Sequence, residues 1–155
     1  EKIYKNKWLN MMRDKLGLFG EDINDIELVN NLLSWMEDYK ADYTNTFCYL
    51  MNAKVNNSEI YKDKSFINWL DIWKKRSLMN NDSKEKQLNI MQNVNPSVIP
   101  RNHKVEEALA AANDDNLEVM NKLLSVLNKP YDNQKNIEEY QTPMNNKGYQ
   151  TFCGT

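Results

Sequence analysis

Residues 66–73 read Phe-Ile-Asn-Trp-Leu-Asp-Ile-Trp, and this stretch decides the fold class. Its large apolar side chains recur three and four positions apart: Phe66, Trp69, Leu70 and Trp73. That spacing brings side chains onto one face of an α-helix. Large aromatic rings at helical spacing are typical of a buried face. The stretch therefore predicts an amphipathic helix whose rings anchor the hydrophobic core.

The same spacing recurs on both sides of this stretch, and alternating runs of β-branched residues are almost absent. It predicts six further apolar helix faces, formed by Tyr4, Trp8, Met11, Met12 and Leu16; by Leu28, Val29, Leu32, Leu33 and Met36; by Tyr43, Phe47, Leu50 and Met51; by Leu88 and Met91; by Val105, Ala108, Leu109 and Ala112; and by Leu117, Met120, Leu123, Leu124 and Leu127. We therefore expect an all-α fold, an irregular bundle of about seven helices.

Residue types that start and stop helices lie between these faces. Gly17 can end the first helix because glycine tolerates the left-handed conformation. Pro100 can occupy the first turn of the sixth helix, where its missing N–H is not needed. Oxygen-bearing side chains are expected to cap the second and third helices, with candidates Asp22, Asn24 and Asp25 for the second and Asp42 for the third.

Beyond residue 127 the sequence becomes polar and loses its periodicity. Pro130, Pro143 and Gly148 interrupt this part of the chain. We therefore expect two parts, a helical C-terminal domain over residues 1–127 and an extended tail over residues 128–155 that ends in a cysteine-containing motif.

Charge and hydropathy exclude two classes of partner. Twenty Lys and Arg against twenty-two Asp and Glu give a net charge of −2, and neither sign is concentrated on one stretch. Nucleic-acid binding needs clustered positive charge, so no nucleic-acid partner is expected. No apolar run reaches the roughly 20 residues that cross a bilayer, and no secretory signal opens the chain. We expect a cytoplasmic protein with no membrane partner, and a fragment that begins inside a longer one.

Residue patterns for catalysis or metal binding are missing from the sequence. Carboxylates stand in consecutive pairs such as Glu37 with Asp38, and consecutive positions on a helix do not face one another. Four glycines form no phosphate-binding loop, and the single His103 leaves no second imidazole for a metal site. We expect no catalytic, cofactor-binding or metal-binding residue in this fragment.

Two smaller features carry structural or chemical expectations. Arg101, Asn102 and His103 form a polar cluster at the start of the sixth helix, and we expect the first two to hold the loop of residues 95–100 through buried hydrogen bonds. Cys48 lies on a predicted core face and should be inert, whereas Cys153 lies in the tail and is the candidate reactive thiol.

Residues 95–109 read Asn-Pro-Ser-Val-Ile-Pro-Arg-Asn-His-Lys-Val-Glu-Glu-Ala-Leu, which resembles a segment near the end of selenoprotein O family members. Upstream, Lys15-Leu16-Gly17-Leu18 and Ala41-Asp42-Tyr43-Thr44 are similar to other family segments. The ending Phe152-Cys153-Gly154-Thr155 resembles the family's terminal Cys-Ser-Ser, where some eukaryotic members carry selenocysteine in place of the cysteine; Gly154 and Thr155 depart from it.

This resemblance implies the C-terminal fragment of a kinase-like protein adenylyltransferase. Such a pseudokinase transfers AMP from ATP to hydroxyl side chains of proteins and uses Mg²⁺ or Mn²⁺. The family's nucleotide- and metal-binding residues lie upstream of the matched segments, so the fragment alone is not expected to catalyse the reaction. The resemblance also implies that the helices form the distal part of the large lobe of the kinase-like fold. Their partner would be the missing N-terminal kinase-like core of the same chain.

One family position with a function does map onto this chain. The terminal cysteine or selenocysteine implies a redox role for Cys153.

The alternative to the whole interpretation is a freestanding helical module that binds a partner helix in an apolar groove and catalyses nothing.

Overall fold

The computed structural model describes residues 1–51, 53, 55, 58–79 and 82–144. Within them the chain forms helices α1 (Lys2–Lys15), α2 (Asp25–Asp38), α3 (Tyr43–Leu50), α4 (Lys64–Ser77), α5 (Lys84–Val94), α6 (Asn102–Asn113), α7 (Glu118–Leu127) and α8 (Glu138–Gln141). A 3-10 helix, Ser58–Lys62, lies between α3 and α4. The chain divides into two compact units, Glu1–Pro96 and Ser97–Thr155.

The predicted all-α class is confirmed, since the described residues contain helices and no β-strand. The seven predicted helices correspond to α1 through α7. The sequence pattern gave no signal for α8 or for the 3-10 helix, because segments of four and five residues are too short to display a helical period.

The first unit is built around the aromatic face of α4, as residues 66–73 predicted. Phe66, Trp69 and Trp73 are buried, and Leu70 packs against them from a half-buried position. The indole N–H of Trp69 donates to the carbonyl of Leu28 at 2.8 Å, and that of Trp73 donates to the carbonyl of Leu16 at 2.9 Å. These bonds satisfy the polar edge of each ring inside the core.

The predicted face of α1 is only partly correct. Met12 and Leu16 are buried and Trp8 is half-buried, but Tyr4 and Met11 are exposed. The first unit covers only one side of α1, mainly near its C-terminal end, so periodicity overstated the buried part. Gly17 follows the helix at φ 63°, the left-handed conformation expected of a terminating glycine.

Only some of the predicted helix starts agree with the structure. Asp42 caps α3 by accepting the Asn45 N–H at 2.8 Å, as predicted. The N-cap of α2 is Asn24, whose side chain makes no capping bond, and Asp25 is buried one position further on. The expectation for Pro100 is wrong, because α6 begins at Asn102 and the proline precedes its cap.

The second unit packs the α6–α7 hairpin and the short α8 around a small core of Val98, Ala108, Leu123, Val126, Ile137 and Tyr140. Ile137 and Tyr140 belong to the segment expected to be an extended tail, and both are buried. Leu109, Leu117 and Leu124 were expected on inner faces but are exposed. The buried side of α6 contains Ala108, and that of α7 contains Leu123 and Val126.

Within the described residues, no helix combines the length and the apolar character needed to span a membrane.

Candidate functional site

A buried carboxylate in the first unit is bound by two guanidinium groups. Asp25 is fully buried at the start of α2. Its Oδ2 accepts Nε of Arg13 from α1 at 2.7 Å, and its Oδ1 accepts Nε of Arg76 from α4 at 2.7 Å. One side chain therefore joins three helices.

Further donors and acceptors complete this arrangement. The N–H of Asp22 donates to Asp25 Oδ2 at 2.9 Å. The guanidinium of Arg76 also donates to the carbonyls of Phe19 and Gly20 at 3.2 Å, which holds the turn between α1 and α2. Arg13 Nη1 donates to Asn10 Oδ1 at 2.6 Å.

Opposing effects set the pKa of the Asp25 carboxyl. Burial raises it, because a low-dielectric interior disfavours a charge. The hydrogen bonds from Arg76, Arg13 and the Asp22 N–H lower it and outweigh burial, so the pKa of Asp25 lies below its usual 3.8. The carboxylate therefore stays ionised at neutral pH and acts as the counter-ion of two arginines.

Sequence reasoning missed this cluster. The three residues are separated by twelve and fifty-one positions, and Asp25 carried the signature of a helix cap. A signal was present in Arg13 and Arg76, which lie beside apolar positions of α1 and α4. A single sequence could not show that both arginines point to the same carboxylate.

A second polar cluster ties the end of α1 to the end of α5. Asn95 is buried, and its Nδ2 donates to the carbonyl of Lys15 at 2.9 Å. The ammonium of Lys15 returns a bond to Asn95 Oδ1 at 3.0 Å and lies 4.8 Å from the centre of the Phe47 ring. Burial lowers the pKa of Lys15. The Asn-Pro segment thus holds the first unit together.

The polar cluster at the start of α6 differs from expectation. Asn102 is exposed, so the predicted buried hydrogen bond from this residue is wrong. Arg101 and His103 are partly buried. Asn95 holds the start of the preceding loop through its bond to Lys15, and in the second unit the hydroxyl of Ser97 donates to the carbonyl of Pro130 at 2.9 Å.

The two cysteines fall in different parts of the chain. Cys48 is fully buried in the first core, and its thiol donates to the carbonyl of Pro96 at 3.6 Å. Cys153, the predicted redox residue, lies outside the described residues. Its redox role therefore stays a prediction.

In the second unit, one ion-pair network joins α6, α7 and α8. Glu139 of α8 accepts the ammonium of Lys104 at 3.0 Å and that of Lys122 at 3.3 Å. Hydrogen bonds to Glu107 and Glu139 raise the pKa of Lys104, and the bond from Lys104 lowers the pKa of Glu139. These charges hold the short α8 against the hairpin.

A cleft of about 400 Å³ opens beside the buried Asp25 and Arg76, with Trp69, Ile72 and Met79 on one wall. Asp25 and Arg76 are engaged in the bonds that join α1, α2 and α4, and Glu27 and Lys75 also line the cleft. Among the described residues, no three His, Cys, Asp or Glu side chains lie together as a metal site would require. The arrangement is that of a structural cluster.

Comparison with known proteins identifies the family. A sequence model described as protein adenylyltransferase SelO matches residues 1–128. The protein nucleotidyltransferase YdiU of Pelagibacter ubique is 50% identical over 157 aligned positions, which cover 100% of this chain and 32% of that relative.

Two further relatives agree with this match. The YdiU proteins of Clostridium beijerinckii and of Bacillus cereus strain G9842 are 47% and 44% identical, over 99% and 98% of this chain and 32% of each relative. The chain thus spans about a third of the length of the relatives it matches. It belongs to the SelO family of protein adenylyltransferases.

Proposed function

We propose that this chain is the helical C-terminal region of an enzyme that transfers AMP from ATP to hydroxyl side chains of other proteins. The observation that carries the proposal is the match of residues 1–128 to the SelO family, together with 44–50% identity to nucleotidyltransferases along the chain. The enzyme is a cytoplasmic, kinase-like pseudokinase that uses ATP with Mg²⁺ or Mn²⁺.

Within that enzyme, these residues support the part that binds the nucleotide, the kinase-like core of the same polypeptide. The buried charges favour this division of labour. Asp25 binds both Arg13 and Arg76, and Arg76 also donates to backbone carbonyls. Asn95 and Lys15 bond to each other at the C-terminal residue of α1. Such residues stabilise a scaffold, and the chemistry falls to the remainder of the protein.

The experiment compares the full-length protein with the isolated chain. With ATP labelled at the α-phosphate and Mg²⁺ or Mn²⁺, the full-length enzyme should label protein substrates. Calorimetry of the isolated 155-residue chain with ATP and the same metal should show no binding. Micromolar binding by the isolated chain would contradict the division of labour, and the absence of labelling by the full-length protein would contradict the activity.

Cys153 is proposed as a redox thiol that pairs with a cysteine in the remainder of the polypeptide and couples redox state to AMP transfer. The burial of Cys48 supports this assignment, because reaction requires an accessible thiolate. Peptide mapping of the oxidised full-length enzyme should find a disulfide at Cys153 and a reduced Cys48. A Cys48–Cys153 bridge, or a free Cys153 after oxidation, would refute it.

A further inference from the structure

The first half of α1 carries apolar side chains that the chain leaves exposed. Every side chain from Ile3 to Lys7 is exposed. Tyr4, Trp8 and Met11 are spaced four and three positions apart and form one line along the helix, here named the α1 stripe. Tyr4 is 74% exposed and Met11 43%, and Trp8 is half-buried at the border with the core.

The core of the first unit is complete without Tyr4 and Met11, the two exposed members of this stripe, while Trp8 packs against its border. Met12 and Leu16 lie on the adjoining side of α1 and point into the cluster that contains Phe66 and Trp73. Tyr4 and Met11 therefore contribute little to folding of this unit. Two turns of helix are also marginally stable in water without packing. The first half of α1 is therefore suited to packing against a protein surface outside this unit.

The composition of the surface around the stripe indicates an interface. Tyr, Trp and Met are enriched in protein interfaces relative to other surface positions. Tyr43, 42% exposed, extends the apolar surface near the end of α1, since its hydroxyl donates to Met12 Sδ at 3.6 Å. Lys7 is exposed one turn from Met11 and places a positive charge at the edge.

We infer that the α1 stripe packs against the part of the polypeptide that lies outside these 155 residues. About two thirds of each relative's length lies outside the match, so the full-length protein supplies a large body for this surface to contact. The complementary surface is apolar, with a carboxylate facing Lys7. This inference rests on the proposed function in one respect, because it assumes that the supported body belongs to the same chain.

Hydrogen exchange measured by mass spectrometry tests the inference directly. Amides of residues 3–11 should exchange about tenfold more slowly in the full-length protein than in the isolated chain, because packing suppresses local opening of the helix. Residues 28–36 of α2, whose buried side chains lie in the core of the first unit, serve as the internal control and should exchange alike. Equal exchange of residues 3–11 in both proteins would overturn the inference.

Substitution separates the stripe from other exposed apolar residues. Tyr4→Lys should leave the melting temperature of the isolated chain within about 1 °C, since the side chain is exposed there, and lower that of the full-length protein by several degrees. Leu124→Lys, at a 55% exposed position on α7, is the matched control and should change neither. An unchanged full-length melt for Tyr4→Lys, or equal losses for both variants, would overturn the inference.

Two outcomes separate this inference from its rivals. If the isolated chain dimerises, Tyr4→Lys restores the monomer, and residues 3–11 gain no protection in the full-length protein, then a second copy covers the stripe and the inference is wrong. If residues 3–11 are protected but the full-length protein transfers no AMP, the proposed function fails and the interface stands.

Discussion

At the scale of single residues, Asp25 has the largest expected effect on stability. Its carboxylate neutralises Arg13 and Arg76, which are themselves almost fully buried. Removing one partner of a buried ion pair leaves an uncompensated charge in a low-dielectric interior, which costs about 3–5 kcal/mol. Asp25→Asn should lower the free energy of unfolding by that amount in urea titrations followed by tryptophan fluorescence.

A matched variant tests whether burial is the cause. Glu27, two positions along the same helix turn, is exposed, and Glu27→Gln should change the free energy of unfolding by less than about 0.5 kcal/mol. If Asp25→Asn were equally mild, the two arginines would have to find other counter-charges, and the structural role given to the cluster would be wrong.

The same carboxylate makes stability depend on pH in acid. Its pKa in the folded chain lies below the usual 3.8, so its contribution is complete above that value and is lost as the pH falls through the lower, folded pKa. The free energy of unfolding of the wild-type chain should fall below about pH 4. Asp25→Asn should flatten that dependence, and parallel curves for the two proteins would contradict the assignment.

Asn95 and Asn102 give a second contrast at the residue scale. Asn95 is buried and exchanges two hydrogen bonds with Lys15, whereas Asn102 is exposed. Loss of buried hydrogen-bond partners costs about 1–3 kcal/mol. Asn95→Ala should lower the melting temperature measurably by circular dichroism. Asn102→Ala should leave it nearly unchanged, and the reverse order would mean that the loop is fixed through Asn102.

At the scale of the helix, Gly17 decides where α1 ends. It adopts φ 63°, which costs other residues about 1–2 kcal/mol, and a Cβ there would lie 2.5 Å from Gln87 Cγ and 2.9 Å from Met91 Cγ. Gly17 therefore also allows α5 to pack closely. Gly17→Ala should destabilise the chain by more than the backbone cost alone.

Gly20 supplies the control for that prediction. It has a similar φ of 65° but is exposed in the turn after α1. Gly20→Ala should therefore cost about 1–2 kcal/mol in the same urea titration, and the excess for Gly17→Ala measures the close contact with α5. Equal losses of unfolding free energy for the two variants would show that α5 can move away from the added methyl group without further destabilisation.

At the scale of the whole molecule, the chain consists of two compact units. The larger hydrophobic core draws all its buried members from residues 12–91, so the first unit contains what it needs to fold. All four tryptophans of the chain also lie in this unit. A protein of residues 1–96 should unfold cooperatively with a red shift of tryptophan emission. A gradual, non-cooperative transition would contradict the independence of this core.

Helix existence was predictable because it depends on local spacing. Phe66, Trp69 and Trp73 recur with a helical period, which places them on one face of α4. The cap at Asp42 and the stop at Gly17 were predictable for the same reason, since each acts on its own backbone. Family membership also lay in the sequence, in the ordered segment of residues 95–109.

Burial was decided only by the tertiary structure. A helix with apolar side chains on more than one side can bury any of them, and the neighbouring helices determine which, so Met12 is covered while Met11 is exposed. Electrostatic pairing is likewise non-local. The sequence indicated a helix cap at Asp25, whereas in the structure its carboxylate binds two arginines that are distant in sequence. The sequence determined the seven longer helices, the cap at Asp42, the stop at Gly17 and the family. Three-dimensional contact determined the buried charges and which apolar side chains stay exposed, because packing free energy depends on neighbours that sequence distance does not specify.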